Sequence, residues 1–195
     1  MTPHFDQTYY DRYYVNPKTR IYTQRHHAKL VAGIVSLIEW FGHPIDRVLD
    51  VGAGLGWWRD WIDKHRPSTE VTSTEMDRSI CQKYGHRQAD IAEAKFDETF
   101  DLVVCQGVLP YLDDARAEAA ILNQAAMTGG FLYLEAVTRE DLRASIDPVR
   151  TDLGVTVRSN AWYRRRLKPH FREIGAGLFA ARSAEVPFFA LEAQR

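Results

Sequence analysis

The chain has 195 residues, of which 45% are hydrophobic and 26% charged, and its formal net charge is −1. This length suits one α/β domain, and the nearly balanced charge gives no electrostatic basis for broad nucleic-acid binding. Cys81 and Cys105 form neither a disulfide framework nor a metal-ligand spacing, so we expect ordinary thiols in a reducing, cytoplasmic compartment. The N-terminus lacks a signal-peptide core and no apolar run reaches membrane-spanning length, so we expect no membrane insertion.

The N-terminal part predicts an aromatic segment followed by a long helix. Residues 1–19 show little periodicity and contain the tyrosines Tyr9, Tyr10, Tyr13 and Tyr14. From about Arg20, apolar residues recur at helical spacing until Gly42 and Pro44 end the helix. This apolar face consists of Leu30, Ile34, Leu37, Ile38 and Phe41.

Strands and helices then alternate along the chain. A helix is expected from Asp113 and Asp114 to about Met127, where Gly129 and Gly130 end it. The predicted strands are Val48–Val51, Glu70–Glu75, Arg87–Ala89, Phe100–Cys105 and Phe131–Val137. Such alternation indicates a doubly wound parallel sheet.

Two further strand candidates lie near the C-terminus, Ile174–Ala181 and Val186–Leu191. Only residues 182–185 join them, and so short a connection requires a hairpin. The last strand is therefore predicted to be antiparallel.

Residues 47–56 contain the most informative pattern in the chain. The apolar run Val48–Val51 ends in glycines at alternate positions, Gly52, Gly54 and Gly56. This pattern is typical of a buried strand that leaves its sheet through a tight turn, and glycine lets a ligand lie against the backbone there. With the helical pattern that follows from Trp58, it predicts the entry to a nucleotide-type pocket.

The spacing of these glycines distinguishes two classes of ligand. A dinucleotide fold expects Gly-x-Gly-x-x-Gly, whose third glycine would fall on Trp57. The observed pattern, Asp50-x-Gly52-x-Gly54-x-Gly56, resembles the first motif of the class I S-adenosylmethionine-dependent methyltransferases. The resemblance runs from about residue 20 to the C-terminus. It implies a seven-stranded, mixed, Rossmann-like α/β sheet, S-adenosylmethionine as cofactor and a small or medium-sized acceptor.

The resemblance places cofactor contacts at the carboxyl ends of the strands. Asp50 would lie beside the methionine ammonium, Glu75 would accept from the ribose hydroxyls, and Met76 would contact the adenine. Asp90 would accept from the adenine amino group while Ile91 covers the ring. The implied cofactor-binding set is Asp50, Gly52, Ala53, Gly54, Gly56, Glu75, Met76, Asp90, Ile91 and Gln106.

Structural roles stay open for several of these residues. Asp50 alternatively orders only the loop, Met76 packs in the core, and Asp90 caps a helix. A displaced register of the second strand would put Asp77 in the place of Glu75. We expect Glu75 at an exposed strand end, where its replacement would cost cofactor binding and little stability.

A general base is needed only if the acceptor loses a proton, and the sequence does not choose among four candidates. These are His26, His27, Tyr10 and Tyr14. A tyrosine-rich cap over residues 1–19 would supply an aromatic wall around the sulfonium, although tyrosines on the sheet flank and histidines on a solvated helix face are alternatives.

Residues 139–170 are predicted as an acceptor-side insertion of the single domain 1–195. A helix begins there with Ser159 or Asn160 as its cap, and Trp162 and Tyr163 are candidates for the acceptor pocket. One arginine of 164–166 would meet an acidic acceptor, or all three form a solvated face. No histidine pair has zinc or iron spacing, so no metal is expected.

Two other functions remain possible from the sequence. A nucleotide-dependent oxidoreductase is disfavoured by Trp57 and by the long helix ahead of the first strand. A non-catalytic module would keep the fold only to bind S-adenosylmethionine. The segment 106–112 lacks the Asn/Asp-Pro-Pro-aromatic run of amino-methyltransferases that act on DNA bases or glutamine, which argues against those substrates.

Overall fold

Helices and strands alternate along most of the computed structural model, which describes residues 5–144 and 146–187. The helices are α1 (Gln7–Tyr10), α2 (Gln24–Trp40), α3 (Trp57–His65), α4 (Arg78–Tyr84), α5 (Asp114–Met127), α6 (Arg139–Ala144) and α7 (Asn160–Leu167). The strands are β1 (Arg47–Val51), β2 (Glu70–Glu75), β3 (Arg87–Gln88), β4 (Phe100–Gln106), β5 (Thr128–Glu135), β6 (Phe171–Gly175) and β7 (Leu178–Ala181). A π-helical turn, Asp11–Val15, continues α1, and a 3₁₀ turn, Leu109–Tyr111, precedes α5.

The strands form one sheet in the order β3-β2-β1-β4-β5-β7-β6. Strands β1 to β5 pair in parallel, whereas β7 is antiparallel to both β5 and β6. The predicted doubly wound, mixed, seven-stranded sheet is thereby confirmed. Its strand order reverses between β1 and β4, which is where sheets of this kind bind their ligands.

The core lies between the sheet and helices that present one apolar face to it. Val48 and Leu49 of β1 and Val103 of β4 are fully buried, as are Val31 and Ile38 of α2. Helix α2 begins after Thr23, whose side chain accepts a hydrogen bond from the His26 amide, rather than at Arg20. Among the described residues, no helix is both long and apolar enough to cross a bilayer.

The C-terminal hairpin is present, but its predicted bounds are wrong. The segment predicted as the strand Ile174–Ala181 contains the end of β6, a turn and all of β7. Gly175 and Gly177 take positive φ angles of 126° and 79°, and this reverses the chain inside the segment. Val186 and Pro187 lie outside any strand, and residues 188–191 of the other predicted strand lie outside the described residues.

Gly129 and Gly130 do not end α5 as predicted; they belong to β5. A side chain at Gly130 would place its Cβ 2.4 Å from the Asp101 carbonyl oxygen of β4. Glycine at this position therefore permits the close approach of the two strands, next to an irregularity in their register at Phe100 and Leu102.

Candidate functional site

A cavity of about 580 Å³ opens at the carboxyl ends of the parallel strands. The loops after β1, β2, β3 and β4 line one part of it, and aromatic side chains of the N-terminal segment line another. Its volume lies within the range of small-molecule sites. All but one of the predicted cofactor-binding residues line this cavity; the exception is Gly56, the N-cap residue of α3.

The glycine loop has a backbone that requires glycine. Gly52, Gly54 and Gly56 have φ angles of 66°, 53° and 75°. A Cβ at Gly52 would lie 2.4 Å from Val108 Cγ2, and one at Gly54 would lie 2.8 Å from Tyr10 Cε1. The glycines therefore serve both the turn and the close approach of neighbouring groups.

Glu75 ends β2 directly below this loop. Its Oε2 accepts hydrogen bonds from the Gly54 amide and the Tyr10 hydroxyl, both at 3.0 Å, and its Oε1 accepts from the Met76 amide at 2.6 Å. Glu75 is only 4% exposed, so the expectation of an exposed strand end with little to lose is wrong. A carboxylate accepts about four hydrogen bonds, and three are already made.

The residues after Glu75 have different roles. Asp77 is the N-cap of α4, where its Oδ1 accepts from the amides of Ser79 at 2.8 Å and Ile80 at 3.0 Å. Met76 lines the cavity and is 42% exposed, so it does not pack in the core. This register makes Glu75, rather than Asp77, the carboxylate that belongs to the glycine loop.

Asp50 is a buried carboxyl group at the cavity with an unused oxygen. The residue is 2% exposed, and its Oδ2 has no hydrogen-bond partner among the described residues. Burial and the charge of Glu75 raise the pKa of Asp50 to about 7, against a smaller opposite effect of Arg59. Such a group gains most from a ligand that brings a positive charge and N–H donors.

Asp90 follows β3 and is already engaged on both oxygens. Its Oδ1 accepts from the Ala92 amide at 2.9 Å, and its Oδ2 forms an ion pair with Arg116. A turn rather than a helix follows Asp90, so the helix-cap alternative does not apply. Ile91 is buried and lines the cavity beside it.

Gln106 is the centre of a polar network at the end of β4. Its Oε1 accepts from Trp58 Nε1 and lies 2.9 Å from His27 Nε2. Its Nε2 donates to the Tyr22 hydroxyl at 2.9 Å and to Glu135 Oε2 at 3.1 Å. Because these partners occupy the amide on both sides, Gln106 holds neighbouring side chains in place.

This network assigns the proton on His27. Trp58 can only donate, so it fixes the oxygen of Gln106, and His27 must then donate through Nε2. His27 Nδ1 is unprotonated, buried and without a hydrogen-bond partner among the described residues. Burial lowers the pKa of His27, although the bond to Gln106 opposes this. His26, by contrast, is exposed on α2 and does not line the cavity.

Eight aromatic residues form a large part of the cavity wall. They are Phe5, Tyr9, Tyr10, Tyr14, Tyr22, Trp57, Trp58 and Tyr111. The hydroxyls of Tyr9 and Tyr111 lie 2.7 Å apart, and Tyr111 donates to Asp152 Oδ2 at 3.1 Å. These bonds connect the N-terminal segment to the loop after β4 and to the segment 139–170. Tyr13 is buried but does not line the cavity.

The segment 139–170 does not supply the predicted pocket aromatics. Helix α7 begins after Ser159, as predicted, with the Ser159 hydroxyl accepting from the Trp162 amide. Trp162 packs against two guanidinium groups, with its ring centroid 4.6 Å from Arg158 and 3.7 Å from Arg166. Neither Trp162 nor the buried Tyr163 lines the cavity, because α7 turns this face towards α5 and the core.

Two of the three arginines of this helix pair with carboxylates away from the cavity. Arg164 pairs with Glu173 at 2.8 Å, and Arg166 pairs with Glu118 of α5. Neither arginine therefore meets an acidic acceptor in the cavity. Across residues 5–144 and 146–187, no group of three or more His, Cys, Asp or Glu side chains is arranged to hold a metal ion.

Solved structures share this fold. The chain is similar to CalS10, an amino pentose methyltransferase of Micromonospora echinaspora solved with S-adenosylmethionine, at 19% identity, TM-score 0.65 and coverage of 93% of this chain and 99% of that one. It is similar to the magnesium protoporphyrin IX methyltransferase ChlM of Synechocystis PCC 6803, also solved with S-adenosylmethionine, at 17% identity, TM-score 0.58 and 80% coverage of both chains. The N-methyltransferase NodS of Bradyrhizobium japonicum WM9, solved with S-adenosyl-L-homocysteine, matches at 18% identity, TM-score 0.57 and coverage of 81% and 87%.

Sequence comparisons agree with the fold. An uncharacterized protein of Synechococcus sp. is 29% identical over 107 residues, which are 48% of this chain and 25% of that protein. The chain thus matches only about a quarter of the length of this curated relative. Residues 21–177 match the family model of a methyltransferase domain. Because that match covers most of the chain, the protein belongs to this methyltransferase domain family, and its sheet has the topology predicted for the class I fold.

Proposed function

We propose that this protein transfers a methyl group from S-adenosylmethionine to a small or medium-sized acceptor by in-line displacement. The observation that carries the proposal is the convergence of the glycine loop, the unpartnered Oδ2 of Asp50 and the carboxylate of Glu75 on one cavity. The cofactor supplies an activated methyl group on a sulfonium.

The residues at the cavity fit this cofactor. Asp50 Oδ2 would accept from the ammonium of the methionine part, and the glycines of the loop would admit its backbone contacts. Glu75 keeps acceptor capacity for a ribose hydroxyl, and Ile91 and Met76 offer apolar surface to the adenine. What remains for the protein is to orient the acceptor and exclude water.

The aromatic part of the cavity defines the acceptor that we propose. Among the described residues that line the cavity, Arg116 is the only Lys or Arg, and it pairs with Asp90 and Glu93. A carboxylate or phosphate would find no free cation there, whereas flat apolar groups can pack against Tyr14, Tyr22 and similar rings. The proposed acceptor is therefore an uncharged aromatic or apolar molecule. If it must lose a proton, three of the four candidate bases line the cavity, namely His27, Tyr10 and Tyr14. Burial lowers the pKa of His27 and raises the pKa of both tyrosines, so His27 is the candidate whose neutral side chain keeps an acceptor nitrogen.

Two measurements test the proposal. Calorimetric titration should show binding of S-adenosylmethionine and S-adenosylhomocysteine but not of NAD. Transfer of a radioactive methyl group should then be assayed with phenols, apolar heterocycles and matched carboxylates, and the uncharged compounds should be the better acceptors. NAD binding without S-adenosylhomocysteine binding would favour the oxidoreductase alternative. Methylation confined to the carboxylates would contradict the acceptor class.

Some expectations from the sequence stay predictions. These are the cytoplasmic location, the lack of a nucleic-acid partner, the lack of a metal and the separate role of residues 139–170 on the acceptor side. Asp152 of that segment contacts Tyr111, which lines the cavity, and this contact supports the last of them.

A further inference from the structure

A buried polar cluster lies beneath the glycine loop, outside the cavity. His86, which is 7% exposed, places its Nε2 3.0 Å from the Gly54 carbonyl oxygen. Its Nδ1 lies 2.8 Å from Ser73 Oγ and 3.4 Å from Nη1 of Arg59. Arg59 also donates to Ser73 Oγ at 3.3 Å. The cluster thus connects α3, β2 and the α4–β3 connection to one peptide of the glycine loop.

The donors and acceptors of this cluster can be assigned. A carbonyl oxygen only accepts, so His86 must carry its proton on Nε2 and donate it to Gly54. The Nδ1 of the neutral ring is then an acceptor, which matches the hydroxyl of Ser73. The guanidinium of Arg59 only donates, so it occupies the oxygen of Ser73 and directs the hydroxyl proton towards His86.

Burial favours this neutral form of His86. Burial is the largest influence and lowers the pKa of His86, and the Arg59 cation lowers it further. The bond to Gly54 and the charges of Glu75 and Asp60 act in the opposite direction. The ring of Tyr84 stacks on the imidazole of His86, with 6.1 Å between the two ring centroids.

We propose that His86 is a positioning residue for the cofactor-binding loop, fixing the Gly54 carbonyl while Glu75 fixes the amide of the same residue. The two bonds, His86 Nε2 to Gly54 O and Gly54 N to Glu75 Oε2, hold Gly54 from both of its backbone groups. The orientation of the loop amides, on which cofactor binding depends, then rests on a residue that does not line the cavity. The inference relies on the proposed binding of S-adenosylmethionine.

The third glycine of the motif supports this role independently. A Cβ at Gly56 would lie 2.9 Å from Nη2 of Arg59 and 3.4 Å from Cε1 of His86. The lack of a side chain at Gly56 therefore leaves room for the cluster. Glycine in this position serves the groups beneath the loop as well as the turn itself.

Paired variants of the full-length protein test the proposal. His86→Gln retains an amide donor near the position of Nε2, whereas His86→Asn retains only polar atoms near Nδ1. Both remove the imidazole and its packing, so a general loss of stability should be similar. Because one hydrogen bond is lost, we expect S-adenosylhomocysteine to bind about tenfold more weakly to the His86→Asn variant, and within about threefold of wild type to the His86→Gln variant.

Measurements on the free protein separate this proposal from the proposed function. Nitrogen NMR should find the proton of His86 on Nε2, and hydrogen exchange at the Gly54 amide should be faster in the His86→Asn variant than in the His86→Gln variant. If wild type fails to bind S-adenosylhomocysteine, the proposed function fails while these two readouts still decide the role of His86.

Other outcomes would overturn the role itself. Equal affinities and equal Gly54 exchange in the two variants would show that His86 contributes only packing, and a proton on Nδ1 would contradict the assigned bonds. If the His86→Asn variant does not fold, Ser73→Ala removes the donor to Nδ1 instead. It should shift the nitrogen resonance of Nδ1 and weaken S-adenosylhomocysteine binding by about threefold; an unchanged resonance would contradict the cluster.

Discussion

Glu75 combines a binding role with a structural role at the level of one residue. It accepts from the Gly54 amide and the Tyr10 hydroxyl while being almost fully buried. In Glu75→Ala we expect roughly hundredfold weaker S-adenosylhomocysteine binding and a loss of about 1–3 kcal/mol in the free energy of unfolding, because a buried amide loses its acceptor. Calorimetric titration and urea denaturation measure the two effects.

Asp77→Ala is the matched control, since the two carboxylates are two residues apart. Loss of this N-cap should cost about 1 kcal/mol of stability and leave S-adenosylhomocysteine affinity nearly unchanged. A larger loss of affinity in Asp77→Ala than in Glu75→Ala would move the ribose contact to Asp77. Wild-type stability in Glu75→Ala would contradict its hydrogen bonds to the glycine loop.

Asp50 should make the free protein less stable at alkaline pH. Its pKa in the folded protein is about 7, above the usual value of 3.8, so protonated Asp50 contributes stability that is fully present below pH 3.8 and lost as the pH rises through 7. Asp50→Asn stays neutral, so its melting temperature should exceed that of wild type at pH 8 and approach it near pH 5. Thermal denaturation across this range measures the effect.

The same substitution should weaken cofactor binding, which separates stability from function at this residue. Removing the negative charge beside the methionine ammonium should lower S-adenosylmethionine affinity by at least about tenfold. Asp50→Asn with unchanged affinity would mean that Asp50 only orders the loop.

The N-terminal segment contributes to stability as well as to the cavity wall. Residues 5–19, the described part of this segment, contain no strand, and the family match begins at residue 21. Yet Tyr10 and Tyr13 are buried, and Tyr10 bonds to Glu75. Deleting residues 1–19 should therefore leave a folded sheet of lower melting temperature and reduce acceptor turnover more strongly, since the cavity wall loses the aromatic rings of this segment. Circular dichroism and methyl-transfer kinetics compare the two.

A point variant separates the Tyr9 hydroxyl from the rest of the N-terminal segment. Tyr9→Phe removes the hydroxyl that lies 2.7 Å from Tyr111 but keeps the ring in the wall. It should change the kinetics much less than the deletion does. Unchanged kinetics in the truncated protein would show that residues 1–19 do not contribute to the acceptor site.

Among the secondary-structure elements, the type of most elements was predictable from the sequence, whereas the first and last residues of some elements were not. The alternation of apolar runs and helical spacing was enough to predict β1, β2, β4 and α5, because each has a local pattern. The β6–β7 turn was missed although Gly175 and Gly177 mark it, because apolar residues on both sides suggested one strand. The Gly129–Gly130 pair resembles a helix end in the sequence. The close approach that requires glycine at Gly130 is to Asp101, which is distant along the chain, so no local pattern marks it.

Across the whole molecule, the sheet and the cofactor motif were predictable and the side-chain networks were not. The glycine motif and the acidic residue after the second strand are local features of the sequence. Gln106, however, meets His27 and Tyr22 across 79 and 84 positions of the chain. Tyr22, Glu135, Arg116 and His86 were missed because no local spacing marks a contact that only the folded sheet creates.

The cofactor should stabilise the whole molecule. A ligand that binds only the folded state adds about 2.7 kcal/mol at a concentration of 100 times its dissociation constant. For a domain of this size, that corresponds to a rise of roughly 5–10 °C in melting temperature. Thermal denaturation with S-adenosylhomocysteine should show this rise and NAD should show none.

Neither melting temperature nor methyl transfer should change with EDTA, because the proposed chemistry needs no metal. Loss of activity in EDTA with the rise intact would show that a metal orients the acceptor rather than the cofactor.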